Sequence, residues 1–319
     1  MSLSGEPVRR GALAAEAKGG PAGSKPPAAD DGVAPAAMGA LQSGLYVTAT
    51  PIGNAGDLTL RARDILSRAA IVVAEDTRVT AKLFALHGIG TKLVSYRAEN
   101  AARATPAILA RLGRGEAVAL VTDAGTPHGS DPGAELVAAA VAAGHKVFAV
   151  PGASALTAAL SISGLAAKRT LFAGFLPPAE GARRAELAEL KSIDAALVFF
   201  EAPHRIEETL ADMAHVLGER RAVLCRELTK RHEEARRGTL AELASAAAAE
   251  PDLRRGEIVL VVAPPAAADP QAAGEGLDAA LRRALATMRV KDAADAVAGA
   301  LGLPRRTVYA RALELKADA

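Results

Sequence analysis

Cysteine is almost absent from the sequence, which contains only Cys225. A single cysteine cannot pair within the chain, and no Cys/His cluster offers the ligands of a structural zinc. Long apolar runs are absent too, because the longest, such as residues 195–200, have the length of a strand and not the roughly 20 residues that span a bilayer. We therefore expect a cytoplasmic protein that needs neither a membrane nor a metal.

Aromatic side chains and net charge are also scarce. The sequence has three tyrosines, six phenylalanines and no tryptophan, and its formal net charge is only +2. These values disfavour an aromatic platform for single-stranded bases and a strongly basic nucleic-acid surface. Any contact with RNA must therefore be local and must depend on shape and phosphate groups.

Composition divides the chain into five parts. Residues 1–43 are rich in Ala, Gly and Pro, which predicts a disordered tail, and Met38 within it is an alternative translation start. Residues 44–166 and 167–263 predict two α/β domains, because strand-length apolar runs alternate there with helix-length segments. Residues 264–276 are typical of a linker, and residues 277–319 predict a small helical segment.

The first α/β domain has the pattern of a mainly parallel sheet. Its predicted strands are residues 45–50, 71–74, 93–96, 117–121 and 146–150, and its predicted helices are residues 59–68, 80–87, 100–113, 131–143 and 153–163. The second domain has predicted strands at 171–175, 195–200, 222–227 and 258–263, and predicted helices at 179–190, 203–217 and 240–248. In such parallel sheets a ligand lies beyond the carboxyl ends of the strands.

Four loops at that edge have the composition of a ligand site. They are residues 50–54 (TPIGN), 75–78 (EDTR), 123–127 (DAGTP) and 151–154 (PGAS), and they combine Gly, Pro and hydroxyl groups with carboxylates. No GxGxxG loop follows a strand and no GxxxxGK[ST] loop occurs, so the common dinucleotide and triphosphate sites are missing. The site must fit a different ligand.

Six motifs in chain order resemble a known family. They are ATPIGN (49–54), AEDTR (74–78), TDAGTPHGSDPG (122–133), PGASA (151–155), GFLP (174–177) and FFEAPHRI (199–206). They are similar to the tetrapyrrole-methylase superfamily and, within it, to the ribosomal RNA small-subunit methyltransferase I family. Members of that family 2'-O-methylate a cytidine in the decoding region of 16S rRNA. The match extends from about residue 44 to residue 262 and continues into the helical C-terminal segment.

The resemblance implies a fold, a methyl donor and a substrate. The fold would consist of two α/β domains of tetrapyrrole-methylase type, with a parallel sheet in the first and a mixed sheet in the second. The donor would be S-adenosylmethionine, the partner the small ribosomal subunit or its 16S rRNA, and the oligomer a homodimer. His128-Gly129 replaces the common Gly-Ile of the family and Ala153 its common Pro, and both departures fall at positions that shape the backbone of the loops.

By the same resemblance, S-adenosylmethionine would lie in the cleft between the α/β domains, mostly held by backbone groups. The residues carried over are Pro51, Asp123, Ala124, Gly125, Thr126, Ser130, Asp131, Ser154, Phe200 and Ala202. Structural roles remain open for several of them. Asp123 is also suited to an Asx-turn, Ser130 or Asp131 to a helix N-cap, and Ser154 to the first turn of a helix.

Methyl transfer to a ribose hydroxyl is an in-line displacement, in which alignment matters most and a base assists. Glu75 and Asp76 are adjacent carboxylates at a strand end, and their mutual repulsion is expected to raise one pKa. Successive strand residues point to opposite faces, so only one of the two would reach the substrate. We select Asp76 over Glu75 as the catalytic candidate.

Six residues are candidates for RNA contact. They are Arg78, Tyr96, Arg97, Asn100, His204 and Arg205, which lie at strand ends or at a helix N-terminus suited to phosphate. Each has a structural alternative: Arg78 is able to pair with Asp76, Tyr96 to form a surface turn, and His204 to be merely solvated. Residues 226–237 are interpreted as a balanced, solvated charge run, with RNA contact as the second interpretation.

The C-terminal segment has the outline of a helix-turn-helix. Arg305, Arg306 and Arg311 lie on its last predicted helix, and a solvated helical cap and an RNA contact are both compatible with them. Three other functions also remain open for the whole chain. One is a porphyrinoid C-methyltransferase of precorrin type, although residues 50–54 are not the GxGPG loop usual in those relatives. The others are a silent RNA-binding module and a nucleotide-binding α/β protein of unrelated chemistry.

Overall fold

The computed structural model describes residues 40–127, 133–266, 270–301 and 303–317. Its first sheet is parallel and has five strands in the order β3-β2-β4-β1-β5. The strands are β1 (Gly44–Thr48), β2 (Ile71–Ala74), β3 (Leu93–Ser95), β4 (Ala117–Val121) and β5 (Val147–Val150). The predicted parallel sheet is thus confirmed. The predicted tail and Met38 lie outside the described residues, apart from residues 40–43.

Helices cover both faces of this sheet, because its central strands are apolar throughout. The helices are α1 (Leu60–Arg68), α2 (Thr77–His87), α3 (Ala98–Gly113) and α4 (Gly133–Ala142). Leu66 and Phe84 of α1 and α2 are buried on one face. Ile108 and Leu136 of α3 and α4 are buried on the other. The carboxyl ends of the strands therefore remain the open edge.

The second sheet is mixed, as expected, with the strand order β6-β7-β10-β8-β9. Its strands are β6 (Thr170–Phe175), β7 (Ala196–Glu201), β8 (Arg221–Arg226), β9 (Glu234–Thr239) and β10 (Ile258–Val262). Only β6 and β7 pair in parallel, and the other pairings are antiparallel. Helices α6 (Glu180–Leu190), α7 (Ile206–Leu217) and α8 (Leu240–Ala249) pack on one face of it around Leu197 and Leu260.

The opposite face of the second sheet contacts the first part of the chain. Helix α5 (Ala155–Ser163) packs there, with Ala159 buried against Val198 and Val261. The sequence-based boundary at residue 166 assigns this helix to the first domain, whereas its packing joins it to the second sheet. Ile52, from the loop after β1, is buried in the same cluster. The two sheets are therefore connected directly beside the candidate ligand loops.

Strand β9 was not predicted, because residues 226–237 have the composition of a solvated charge run. The structure shows an antiparallel edge strand that pairs with β8, with Arg226 opposite Glu234. The two side chains form an ion pair across the strands, with Arg226 Nη2 3.0 Å from Glu234 Oε2. Cross-strand charge pairs stabilise an edge strand, so the charges here serve pairing as well as solvation.

Three helices form the C-terminal unit, as predicted. They are α9 (Pro270–Leu285), α10 (Val290–Leu301) and α11 (Arg305–Ala317), and they share a small core around Leu281 and Val308. Helix α9 begins at Pro270, so the second half of the predicted linker at 264–276 is helical. No helix in the described ranges is both long and apolar enough to cross a bilayer.

Candidate functional site

The three loops that contain glycine and proline, which follow β1, β4 and β5, are joined by hydrogen bonds. The backbone N–H of Thr50 donates to Gly125 O at 2.9 Å, and the N–H of Gly125 donates to Thr50 O at 3.1 Å. The Thr126 hydroxyl donates to Ala153 O at 2.9 Å, which joins the loops after β4 and β5. Gly125 has φ +83°, a conformation that other residues rarely adopt. The loops thus form one preorganised edge.

A cavity of about 420 Å³ lies against this edge and is closed on the other side by the second sheet. It is lined by Ile52, Ala124, Gly125, Thr126, Ser154, Ala155, Phe175, Phe200, Glu201, Ala202, Pro203, Gly256, Glu257, Ile258 and Val259. Its size and mainly apolar walls are typical of a site for a small organic ligand. The cleft between the α/β domains therefore has room for a nucleoside-sized molecule.

Aromatic rings form one wall of the cavity. Phe200 contacts Phe172 edge-on, with ring centroids 4.8 Å apart, and Phe175 with centroids 5.8 Å apart. Phe175 is 60% exposed although it is a large apolar residue. A ring that is held by its neighbours and still open to a cavity is suited to stack on a planar ligand.

Two acidic residues are among those that line the cavity. Glu201 is buried, and it accepts hydrogen bonds from the Thr209 hydroxyl at 2.6 Å and from its neighbour's N–H at 2.7 Å. Glu257 is exposed, and its Oε2 lies 3.1 Å from Lys230 Nζ. Lys230 also binds Glu227 at 2.9 Å. The cavity therefore has acidic groups whose positions are fixed by partners.

The loop that carries Lys230 has an unusual backbone. Glu227 and Thr229 have φ values of 52° and 64°, which is the left-handed region that non-glycine residues avoid. The Glu227 carboxylate accepts a hydrogen bond from Glu257 N–H at 2.9 Å, and the Thr229 hydroxyl accepts one from Asn54 N–H at 3.2 Å. These bonds hold the loop against both the cavity wall and the loop after β1.

Most of the residues predicted to bind the cofactor lie at this cavity. Ala124, Gly125, Thr126, Ser154, Phe200 and Ala202 line it. Pro51 precedes the lining residue Ile52, and Asp123 precedes Ala124 without lining the cavity. The Asp123 carboxylate instead accepts a hydrogen bond from Asp76 N–H at 2.9 Å, which joins the loops after β2 and β4. Ser130 and Asp131 lie outside the described residues.

The two predicted catalytic carboxylates have different surroundings. Asp76 caps α2 and binds Arg78, with Oδ2 2.6 Å from Nη2, and Arg97 Nη2 lies 3.5 Å from the same oxygen. The hydrogen bonds from Arg78 hold the pKa of Asp76 well below its usual range. The expected rise in pKa is therefore wrong for Asp76, because arginines and not a like charge dominate its environment. Glu75 accepts a hydrogen bond from the Thr122 hydroxyl at 3.3 Å.

Three of the predicted RNA-binding residues have structural roles. Tyr96 is only 1% exposed and its hydroxyl is 2.9 Å from that of Thr105, so it cannot stack on a nucleotide. Asn100 caps α3, because its Oδ1 accepts a hydrogen bond from Arg97 N–H. Arg205 points into its own domain and donates to Leu176 O at 2.7 Å. The stacking role of Tyr96 is therefore wrong, because turn-forming residues share the composition of a ligand loop, whereas RNA contact by Asn100 and Arg205 stays a prediction.

The remaining three RNA candidates are open to solvent. Arg78 has 81% of its side chain exposed, Arg97 has 46%, and His204 follows the cavity residue Pro203 on the surface. Arg97 also donates to Glu75 O at 3.0 Å, so the cations lie beside both acidic residues. The structure thus groups Arg78 and Arg97 around the loop after β2.

Several cavity residues were not predicted from the sequence. Phe175 lies in the GFLP motif, which gave the family resemblance but no role for the ring. Residues 256–259 were missed for a topological reason, because β10 runs antiparallel to β7 and brings its amino end to the cavity. The rule that ligands lie at carboxyl ends applies to the parallel sheet only.

Comparisons with known proteins agree with the geometry. The family of tetrapyrrole (corrin/porphyrin) methylases matches residues 44–244, and the RsmI C-terminal HTH domain matches residues 270–316. Ribosomal RNA small subunit methyltransferase I of Mesorhizobium japonicum is 46% identical over 277 residues, which cover 86% of this chain and 93% of that protein. The enzyme of the same name from Neisseria meningitidis serogroup A is 44% identical over 272 residues, covering 85% and 94%.

A solved structure supports the fold. Uroporphyrin-III C-methyl transferase from Thermus thermophilus, complexed with S-adenyl homocysteine, superposes with a TM-score of 0.50 at 20% identity. The superposition covers 69% of this chain and 97% of that one. The expected tetrapyrrole-methylase fold is thereby confirmed.

Proposed function

Since the chain belongs to the ribosomal RNA small subunit methyltransferase I family of the tetrapyrrole methylases, we propose that it 2'-O-methylates a cytidine ribose in the decoding region of 16S rRNA. Its methyl donor is S-adenosylmethionine. The observation that carries the proposal is the aromatic-walled cavity between the α/β domains, at the loops that the family motifs form.

The residues at the cavity fit this donor. S-adenosylmethionine has a flat adenine, a ribose and a cationic sulfonium, and the cavity of about 420 Å³ has aromatic rings on one side and carboxylates nearby. Phe175 and Phe200 would contact the flat or cationic parts, since aromatic faces attract cations. Backbone groups next to Gly125 would hydrogen-bond the ligand, because Gly125 itself is bonded to Thr50 and has no side chain to intervene.

When bound, S-adenosylmethionine would supply an electrophilic methyl group to the ribose oxygen, and S-adenosylhomocysteine would be the leaving group. The chain contributes alignment, which is the largest part of catalysis for such a displacement. The joined loops after β1, β4 and β5 fix one side of the cavity, and β7 and β10 fix the other. The apolar walls also exclude water from the reacting atoms.

We propose Glu75 and not Asp76 as the group that accepts the hydroxyl proton. Asp76 is bound by Arg78 and Arg97, and its lowered pKa makes it a weak base. The Glu75 carboxylate lies one residue away at the same strand end, where it accepts a hydrogen bond from the Thr122 hydroxyl and lines a small pocket beside the loop after β4. Asp76 then serves to hold the two arginines beside the acceptor.

Arg78 and Arg97 are the proposed contacts for the phosphate next to the target ribose. Both are exposed and already held close together by one carboxylate, so that a phosphate is able to bind them beside Asp76 with little rearrangement. His204, beyond the cavity residue Pro203, is the candidate on the opposite rim. The assembled small subunit is the proposed substrate, since shape and phosphates must replace the missing aromatic platform.

We further propose that the enzyme acts in the cytoplasm as a homodimer. Symmetric pairing requires one self-complementary face, and α2 offers exposed apolar side chains at Val79 and Leu86 two turns apart. The molar mass in solution tests this directly. The porphyrinoid alternative is supported by the fold alone, and the silent-binder alternative by no observation, because the cavity and its loops are intact.

The proposal is tested by incubating the purified chain with labelled S-adenosylmethionine and small subunits from cells that lack it. Nucleoside mass spectrometry of the digested 16S rRNA is expected to show one 2'-O-methylcytidine. A base-methylated nucleoside, or label in an added porphyrinoid and none in RNA, would contradict the proposed reaction.

A further inference from the structure

The outermost helix of the C-terminal unit, α11, has two faces of different character. Val308, Ala312 and Leu315 are buried against α9 and α10. On a neighbouring face of the helix, Tyr309 is 39% and Leu313 48% exposed. A solvated helical cap would be expected to place polar residues at these positions.

Two of the three arginines on α11, Arg305 and Arg311, form ion pairs within the C-terminal unit. Arg311 binds the Asp278 carboxylate through both Nε and Nη2, at 2.7 Å and 2.6 Å, and so joins α11 to α9. Arg305 binds Asp295 of α10, with Nη2 2.8 Å from Oδ2. Both arginines therefore hold the three helices together and are poorly placed to bind a partner.

Other cations of the C-terminal unit are available to bind a partner. Arg306 lies three residues before Tyr309, and Lys316 three residues after Leu313, so all four side chains follow one stripe of the helix. Within the described part of the chain, neither Arg306 nor Lys316 forms a salt bridge. The neighbouring cations Arg282, Arg283, Arg289 and Lys291 likewise form no salt bridge with another described residue. The unit is therefore locally basic, although the whole chain carries only +2.

We propose that this stripe, formed by Arg306, Tyr309, Leu313 and Lys316, binds the rRNA of the small subunit at a distance from the methylated ribose. Two phosphates would pair with Arg306 and Lys316, and Tyr309 with Leu313 would cover an unpaired base or a ribose between them. Apolar residues alone would fit a second protein, whereas unpaired cations at the two ends of the stripe, about 15 Å apart along the helix, fit two phosphates of an RNA backbone. The proposal rests on the proposed function, because it assigns the same substrate a second contact.

The geometry also limits how the helix binds. The second helix of a DNA-binding helix-turn-helix enters the major groove, but the major groove of A-form RNA is deep and too narrow for a helix. Helix α11 would consequently lie across the phosphates or against an exposed loop. Its contribution would then be affinity and positioning, with no base-specific pattern of hydrogen bonds.

The test is the salt dependence of equilibrium binding between the full-length protein and purified small subunits. Replacing Arg306→Gln together with Lys316→Gln is expected to reduce the slope of log affinity against log salt concentration by about two, one for each lost phosphate contact. Tyr309→Ala is expected to weaken binding about tenfold with an unchanged slope, since the stacking it removes is not ionic. All three side chains are exposed, so the fold should persist, as circular dichroism would verify.

Arg63→Gln together with Arg221→Gln is the matched control, because both are exposed cations of the α/β domains outside the cavity. This control should bind with nearly the slope of the unaltered protein. An unchanged slope in the Arg306/Lys316 variant would overturn the proposal. A change from dimer to monomer in the Tyr309 variant would also overturn it, by assigning the stripe to a second copy. Absence of any methyl transfer by the unaltered protein would instead contradict the proposed function.

Discussion

Gly53 and Lys230 meet where the two α/β domains join, and there is no room between them for even one methyl group. Gly53 belongs to the loop after β1, and Lys230 to the strained loop after β8. Because Lys230 also binds Glu257 on the cavity wall, its position couples the first loop to the far side of the cavity. A contact outside the donor site therefore connects its two sides.

Gly53→Ala tests this coupling. The added methyl group must displace the Lys230 side chain, so we expect the ion pair with Glu257 to loosen and the dissociation constant of S-adenosylmethionine to rise about tenfold, equivalent to about 1.4 kcal/mol. Isothermal titration calorimetry would measure it. Gly90→Ala is the control, because a Cβ at Gly90 meets no atom within 4 Å. Equal affinities for both variants would show that the contact does not influence the site.

Gly125→Ala should damage the site through the backbone. Gly125 has φ +83°, and an added Cβ would lie 3.0 Å from Ile52 Cγ2 on the cavity wall. We expect a loss of stability of about 1–2 kcal/mol from the left-handed conformation, together with weaker donor binding. Gly88→Ala provides the comparison, since Gly88 has φ +66° but open space around it. It should lose similar stability in thermal unfolding and retain donor affinity.

Phe175→Ala should weaken donor binding without unfolding the protein. The ring is 60% exposed, so its removal leaves little cavity in the core, while the aromatic wall loses one face. We expect the KM for S-adenosylmethionine to rise about tenfold. Leu60→Ala removes another exposed apolar side chain, on α1 and away from the cavity. If both variants had the KM of the unaltered protein, the ring would not contact the donor.

The two adjacent carboxylates should respond differently to pH. A base must be deprotonated, so activity that depends on it rises with pH through its pKa. Asp76 has a lowered pKa, and it is therefore already ionised at every pH used for assays. Asp76→Asn should lower kcat without changing the shape of the pH profile, whereas Glu75→Gln should lower kcat by about 10²–10⁴ and remove the acid limb. The reverse pattern would identify Asp76 as the base.

The Asp76 cap also has a consequence for stability. Because Arg78 lowers its pKa in the folded state, the carboxylate contributes stability above its unfolded pKa of about 3.9 and loses that contribution as pH falls further. The melting temperature of Asp76→Asn should accordingly lie below that of the unaltered protein at neutral pH, and the two should converge in strong acid.

Strand and helix positions were largely predictable because the spacing of apolar residues indicates which residues are buried. Strands β2 and β4 were predicted to the residue, since each is a buried apolar run bounded by turn residues. Strand β9 was not, because its residues are charged and its stability comes from pairing with β8, which a linear pattern does not record. The start of α9 at Pro270 was also missed, because Ala, Gly and Pro dominate its first turn and this composition is typical of a linker.

The candidate site was predictable where local residues determine the backbone conformation, and it was not where distant packing or strand pairing does. The backbone around Gly125 could be identified because tight turns require glycine there. Tyr96 could not be assigned correctly, because nothing in the sequence distinguishes a buried tyrosine that ends a strand from an exposed one. Glu257 reaches the cavity only through the antiparallel pairing of β10, and Arg205 is withdrawn from the surface only by the carbonyl of Leu176.

The cavity between the α/β domains is the proposed site at which 16S rRNA is 2'-O-methylated. Ala202→Trp would fill this cavity, and Ala241→Trp would add the same ring to the exposed face of α8. Each variant would be expressed in cells lacking the protein, and 2'-O-methylcytidine in their 16S rRNA measured by mass spectrometry. We predict that the Ala241 variant restores the modification and that the folded Ala202 variant does not. Full restoration by both variants would contradict the account. A failure of both the Ala241 variant and the unaltered protein to restore the modification would contradict it too.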